Sequence, residues 1–370
     1  MLFRSPTIPG PVSGGLTFGS VSSGGFFTCG LTTAAYCWGN NSIGQLGNGS
    51  FANSNVPVAV SGGLTFASVS SGFAHTCAVT ATQTAYCWGR NVEGELGSGS
   101  GASSSDVPVQ VSGGLFFASL SAASNHSCGV TNGEAVYCWG DNSVGQLGDG
   151  TTTNSSAPVV VSGGLSYQLV SAGTSHTCGV ATSGAAYCWG DNTSGQLGNG
   201  TATSSTAPVA VAGGLTFQSL SAGDAHTCGV TTSGAAYCWG AGDYGRLGNG
   251  ATSNRSIPVA VSGGLTFRSV IAGTFHTCGV TTNGAVYCWG DNSYGALGNG
   301  TTTGSTIPVA VSGGLTFASV STGFFHTCAV PTSGPTYCWG YNLSGQLGNG
   351  TTSTLTTPVP VVGGLTFKSP

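Results

Sequence analysis

Seven tryptophans set the phase of this chain: Trp38, Trp88, Trp139, Trp189, Trp239, Trp289 and Trp339. Five of the six intervals between them are 50 residues and one is 51, the extra residue falling in a Ser/Gly-rich loop between Gly97 and Pro108. A fixed period of this length marks a propeller, a solenoid or an array, and it restricts the fold more than any local propensity does. Around each tryptophan the stretch His176–Gly200, HTCGVATSGAAYCWGDNTSGQLGNG, returns with small changes. At 370 residues the chain reads as one repeat architecture, a single domain over 1–370, rather than several globular units.

One unit, Pro158 to Gly200, predicts four short strands at Pro158–Val161, Leu165–Ser171, His176–Val180 and Ala185–Gly190, joined by Gly- and Ser/Thr-rich turns. No apolar set recurs at helical spacing, so the class is all-β. Four strands in about 50 residues fit one propeller blade. Alternation puts His176, Cys178 and Val180 on one face of their strand, and Tyr187 and Trp189 opposite Cys188 on the next. Both faces ask for burial, as in a blade held between two neighbours. Pro208 is expected to open the following blade, at the first residue of a strand, where no ladder donor is lost. The Pro-Val…Gly-Gly-Leu-Thr-Phe module occurs eight times against seven cysteine hairpins, and the surplus is split between Pro9–Val21 and Pro358–Pro370. One blade closed by strands from both termini uses this surplus; a segment of a longer array has the same appearance.

The fourteen cysteines come two per repeat: Cys29 with Cys37, Cys77 with Cys87, Cys128 with Cys138, Cys178 with Cys188, Cys228 with Cys238, Cys278 with Cys288, and Cys328 with Cys338. Six pairs are ten residues apart and one is eight. Both separations are even, so shortening the turn by two residues keeps each pair facing itself across a hairpin. Adjacent-strand Cα separations of roughly 4.5 to 5.5 Å suit a disulfide. Two readings stay open: seven intrablade disulfides, or fourteen buried thiols packed as small hydrophobes. Disulfides are favoured, and they imply an oxidising compartment, extracellular or at the cell surface. Zinc is disfavoured, because Cys-x9-Cys is not a usual ligand spacing. The N-terminus, MLFRSPTIPGPVSGG, has no apolar signal-peptide core. The expectation is that the chain is a fragment of a longer one.

Charge excludes several functions. Only 4% of residues are charged and the formal net charge is −4, with six Lys plus Arg. That is too few cations to neutralise a nucleic-acid backbone or to hold an anionic membrane surface. No apolar run of 18 residues exists, so no membrane insertion is expected. The histidines, His75, His126, His176, His226, His276 and His326, share one repeat position, which Phe27 fills in the first repeat. A residue copied this often serves every blade, so these read as buried imidazoles bonded to neighbouring backbone. Asp141, Asp191 and Asp291 follow Trp-Gly and read as turn caps; Glu93 and Glu95, beside a turn, read as solvated. No nucleophile elbow, phosphate-binding loop or dinucleotide fingerprint occurs in a suitable context. The expectation is no enzyme, no cofactor and no metal.

The pattern His-Thr-Cys-Gly-Val…Gly-Ala-Ala-Tyr-Cys-Trp-Gly-Asp-Asn…Gly-Gln-Leu-Gly-Asn-Gly-Thr…Pro-Val resembles the RCC1 repeat, named for the regulator of chromosome condensation. The resemblance covers essentially the whole chain and implies a seven-bladed β-propeller of four-stranded blades. Known members include an exchange factor for a nuclear GTPase and a secreted bacterial enzyme inhibitor. This chain departs from the exchange factor: its first fifteen residues carry one cation, Arg4, and the cysteine pairs are not a feature of that protein.

Function in a repeat protein lies where repeats differ. Two positions differ most: the pair before each histidine and the turn after each Trp-Gly. Both are loops at strand ends, the usual seat of binding on a rigid scaffold. The candidate binding residues there are Phe26, Phe73, Phe275, Phe324, Phe325, Tyr244, Tyr294, Tyr341, Arg90 and Glu93. Exposed aromatics are typical interface anchors; the competing reading is that they plug gaps between blades. The leading function is a binding module for a protein or a surface glycan. The alternatives are a purely structural repeat of a larger surface protein and a GTPase exchange regulator, which predicts free thiols. Clustered aromatics favour the first and a featureless polar rim the second. Ligand identity and oligomeric state are not encoded in any of these features.

Overall fold

The computed structural model describes residues 16–362. These form a ring of seven four-stranded antiparallel sheets, with one 3-10 turn at Asp243–Gly245. In the first blade, β1 (Ser20–Ser23), β2 (Phe27–Leu31), β3 (Ala35–Gly39) and β4 (Ser54–Ala59) pair in chain order. The other six blades repeat this over 66–110, 117–160, 167–210, 217–260, 267–310 and 317–360. The first strands of neighbouring blades lie against one another and surround a central channel. The fourth strands are outermost.

The Pro-Val strand therefore ends a blade rather than opening one. Pro158 lies in Ser155–Val160, which pairs with the third strand of blade three, and Pro208 lies in the outermost strand of blade four, Ser205–Ala210. A period does not fix where a unit is cut; the pairing partner does. Proline is tolerated inside this strand because one edge has no ladder partner.

Among the described residues no blade mixes strands from the two ends of the chain: blades one and seven are each continuous. The rest of the expected shared closure, at 1–15 and 363–370, lies outside the described residues. The ring closes through the same contacts that join every other pair of blades. Trp189 Nε1 donates to the Gln146 carbonyl of the preceding blade at 3.0 Å, and across the closing interface Trp38 Nε1 donates to the Gln346 carbonyl at 2.9 Å. The Ala172 amide donates to Ser121 Oγ at 2.9 Å, and the Ser23 amide to Ser321 Oγ at 2.8 Å. Ile271 interrupts this hydroxyl belt, so the Thr322 amide of the next blade has no hydroxyl acceptor at the position that serves the other blades.

The core is divided into wedges between blades. In one, Cys178, Val180 and Leu197 of blade four pack against Phe217, Leu220 and Trp239 of blade five.

All fourteen cysteines form disulfides, each within its own blade and between the second and third strands. Cys29 is bonded to Cys37, Cys77 to Cys87, Cys128 to Cys138, and Cys178 to Cys188. Cys228 is bonded to Cys238, Cys278 to Cys288, and Cys328 to Cys338. Each pair is directly opposed in the ladder, including the pair eight residues apart. The thiol alternative is thereby set aside. Their Cα atoms lie 4.0 to 4.1 Å apart, a little inside the spacing expected from the hairpin alone.

The histidines are buried, but their partners are side chains of the next blade rather than backbone. His176 Nε2 lies 2.9 Å from Thr227 Oγ1, and that hydroxyl donates to the Gln196 carbonyl at 2.9 Å. A hydroxyl has one proton to give. Nε2 must therefore carry the hydrogen and donate to Thr227, which leaves Nδ1 bare. Five of the six Nδ1 atoms are buried without a partner. Burial holds the imidazoles neutral, down to about 3 for His75, His126 and His326 and about 4 for His176 and His276.

Candidate functional site

The turn after the first strand and the loop after the third lie at the same end of each blade. In blade three His126 pairs with Gly140, and the Asp141 amide donates to the Asn125 carbonyl. The two variable positions thus share one rim. The cysteines take no part in it: Cys87, Cys138, Cys238, Cys288 and Cys338, like their partners, are wholly buried inside the blades.

That rim is built on a repeated loop scaffold. Asn192 Oδ1 accepts from the Leu197 amide, while its Nδ2 donates to the carbonyls of Thr201 and Thr203. Gln196 Oε1 accepts from the Ser194 amide, and Gln196 Nε2 donates to Asp191. The Asp191 carboxylate also caps Thr193, so the turn-capping role expected of Asp141, Asp191 and Asp291 holds. The bracing Asn and Gln were not singled out in the sequence, although both recur with the period.

Where the scaffold residues change, the rim changes character. In blade two Arg90 and Glu95 stand where blade four has Asp191 and Gln196, reversing donor and acceptor. Arg90 bonds Glu95, and Glu95 Oε2 accepts from the Glu93 amide at 2.9 Å. Glu95 is therefore buried, not solvated as its place beside a turn suggested, and burial raises its carboxyl above the usual range. Glu93 is half-buried, 3.8 Å from Arg90. In blade five Gly242 replaces the bracing Asn and Arg246 the Gln. This loop takes the 3-10 turn, with Tyr244 in the left-handed region at φ 60°, a conformation that costs an ordinary residue about 1 to 2 kcal/mol.

The eight candidate aromatics meet in one patch running from blade five through blades six, seven and one to blade two. Tyr244 packs on Phe275 with ring centroids 5.6 Å apart, and Phe275 meets Phe324 and Phe325, each at 5.3 Å. Tyr294 touches Phe325 at 4.9 Å and Tyr341 at 5.0 Å. Phe26 joins Phe324 at 5.3 Å and Phe73 at 5.9 Å. Phe73, Tyr244 and Tyr294 are 41%, 56% and 39% exposed, and the other five are half-buried. Arg246, missed in the sequence, lies beneath the blade-five end, 5.7 Å from the Tyr244 ring and 5.5 Å from the Phe275 ring. Asp224 and Asp243 flank it at 4.0 and 3.7 Å. Arg90 and Glu93 sit outside the patch, in the charged cluster of blade two.

Blades three and four complete the rim with Ser124-Asn125 and Thr174-Ser175. The central cavity, about 240 Å³, opens at this rim between Phe73 and Phe324 on one side and Ser124, Thr174 and Asp224 on the other. Among the described residues no three His, Cys, Asp or Glu side chains converge as a metal site would require, and no helix is long and apolar enough to cross a membrane.

Comparison with known proteins agrees with this architecture. The model described as "Regulator of chromosome condensation (RCC1) repeat" matches residues 34–79, 84–130, 134–180, 183–230, 233–280 and 283–330, each match spanning parts of two adjacent blades. A search of curated proteins finds no match. Among solved structures, human WBSCR16 is similar at 22% identity and a TM-score of 0.81, covering 88% of this chain and 94% of that one. Prp20p from Saccharomyces cerevisiae, described with its binding properties to Gsp1p and histones, is similar at 21% identity and 0.79, covering 94% and 88%. The ectodomain of the Arabidopsis thaliana receptor kinase ACR4 is similar at 21% and 0.58, covering 93% and 98%. With six family repeats in register over a seven-bladed ring, the chain belongs to the RCC1 repeat family.

Proposed function

We propose that the protein is a non-enzymatic binding module, working in an oxidising, extracytoplasmic setting, whose aromatic rim docks a protein or a surface glycan. The observation that carries this reading is the coalescence of eight aromatics on one rim, where blades three and four have no aromatic at the equivalent positions. Gap-filling side chains would be buried between blades; Phe73, Tyr244 and Tyr294 are exposed. A purely structural repeat has no use for such a patch, and exposed contiguous aromatics mark interaction sites. Seven disulfides support the compartment. Use of this fold for protein partners is described for the yeast neighbour, with Gsp1p and histones.

The test is a triple variant, Phe73→Ser, Tyr244→Ser, Tyr294→Ser, compared with the wild type for capture of crosslinked surface partners and for glycan-array binding. Truncating hot-spot aromatics costs about 2 kcal/mol or more each, so retention should fall at least tenfold while the thermal midpoint changes little. Equal retention by a folded triple variant would remove the rim from the proposal.

A further inference from the structure

The charge on this ring is unevenly placed. Of the ten acidic residues, Glu134 alone sits in a turn at the opposite rim; the other nine lie in the loops and strand ends that build the aromatic rim. The described cations on that rim are three, Arg90, Arg246 and Arg255, while Arg268 bonds Phe317 and Ala318 carbonyls at the other end. Arg90 is taken up by Glu93 and Glu95, and Arg246 is buried between Asp224 and Asp243. Arg255, at the start of the outermost strand of blade five, is exposed, so nine acids stand against three cations and the rim is apolar along its crescent and net anionic around it. The Asp243 side chain, 67% exposed, stands beside Tyr244 at the blade-five end.

We propose that the partner is a cationic protein segment, in which Lys or Arg side chains alternate with apolar anchors. This rests on the reading of the aromatic rim as the docking surface. Apolar anchors would lie on Phe324, Phe325 and Phe26, and flanking cations would meet Asp243 and Asp224 and the ring faces beside them. An anionic partner is repelled by the same field. A neutral glycan is less well served. Most of the rings meet edge to face or tilted, as Phe324 and Phe325 do with centroids 4.5 Å apart, and the one stacked pair, Phe275 on Phe325, turns those faces toward each other rather than toward a ligand. The polar half has also spent its acceptors internally, Asp141 on Ser143 and Gln146, and Asp191 on Thr193 and Gln196.

The experiment selects a displayed library of random peptides, about twelve residues long, on the 370-residue protein at about 50 mM and about 300 mM salt, a range over which surface charge is strongly screened. The same peptides are then measured on the triple aromatic variant, on Asp224→Asn with Asp243→Asn, and on Glu134→Gln as a control at the far rim. Enriched peptides should carry net positive charge with Leu, Phe or Trp, and should bind roughly tenfold more weakly at the higher salt. Their affinity should fall at least tenfold on the aromatic variant, severalfold on the Asn pair at low salt, and not at all on the control. Enrichment of neutral or acidic peptides, or binding insensitive to salt, overturns the cationic partner. If no peptide is enriched but neutral oligosaccharides bind and lose binding in the aromatic variant, the rim remains the site and the cationic partner is wrong. If neither class binds, both readings fall.

Discussion

Thr227 shows how one residue settles the state of another. Its hydroxyl gives its proton to the Gln196 carbonyl, so His176 must donate from Nε2, and burial with no acceptor for Nδ1 then keeps the ring neutral. The consequence is acid sensitivity. In the unfolded chain histidine titrates near 6.5, while folded His176 stays neutral to about 4 and His75 to about 3. Between those values the unfolded state binds more protons. The stability of the neutral imidazole is thus complete above about pH 6.5 and drains as pH falls toward 4. Each histidine contributes at most about 1.4 kcal/mol per pH unit, and all six act together if the ring unfolds as one. Phe27 shows that an aromatic ring without nitrogen fits the position in blade one. His176→Phe should therefore flatten the slope of stability between pH 4.5 and 6.5 by one proton's worth, read from urea midpoints across that range. An unchanged slope would mean that His176 is charged in the fold.

At the scale of the element, the loop after the third strand does more than turn the chain. Gly198 has φ +67°, and a Cβ there would lie 2.6 Å from Trp239 Nε1 of the next blade. Gly214, in the turn that leads into blade five, has φ +62° but no atom within 4 Å of its virtual Cβ. The two separate backbone strain from packing. Gly214→Ala should cost about 1 to 2 kcal/mol from the left-handed conformation alone. Gly198→Ala should cost that plus about 1 to 3 kcal/mol of overpacking against Trp239. Equal values in chemical denaturation would show that the indole moves aside at no cost.

For the whole molecule, seven bridged hairpins make the redox state a statement about location. All fourteen cysteines are paired within their own blades, so bringing the chain into a reducing compartment removes seven crosslinks at once. Closing each ten-residue loop contributes about 2.5 to 3 kcal/mol in the chain-entropy model. Alkylation before lysis of the native host, followed by intact mass with and without reductant, should find no free thiols and seven reducible bridges. Fourteen alkylated thiols would move the protein into a reducing compartment and bring an intracellular partner to the front.

The sequence alone carried everything that depends on period and parity. Tryptophans at intervals of about 50 residues set the number of repeats, alternation set two buried faces, and even cysteine spacing set which cysteines face each other, because each follows from counting along one chain; that the facing pairs are bonded came from the structure. It also marked the aromatic positions, since they break a repeat that is otherwise copied. The frame of the blade was not legible: Pro208 looks the same whether its strand opens a blade or closes one, and only its pairing with Ala186–Gly190 decides. Nor was the partner of each histidine, which comes from 51 residues away on the neighbouring blade. Glu95 misled because it was read by its place beside a turn, whereas it fills the buried position that Gln45, Gln146, Gln196 and Gln346 hold in other blades, with Arg90 as its charge partner. Above all, Phe26 and Phe324 are about 300 residues apart in the chain, and it is the closing of the ring that sets their centroids 5.3 Å apart and turns scattered aromatics into one surface.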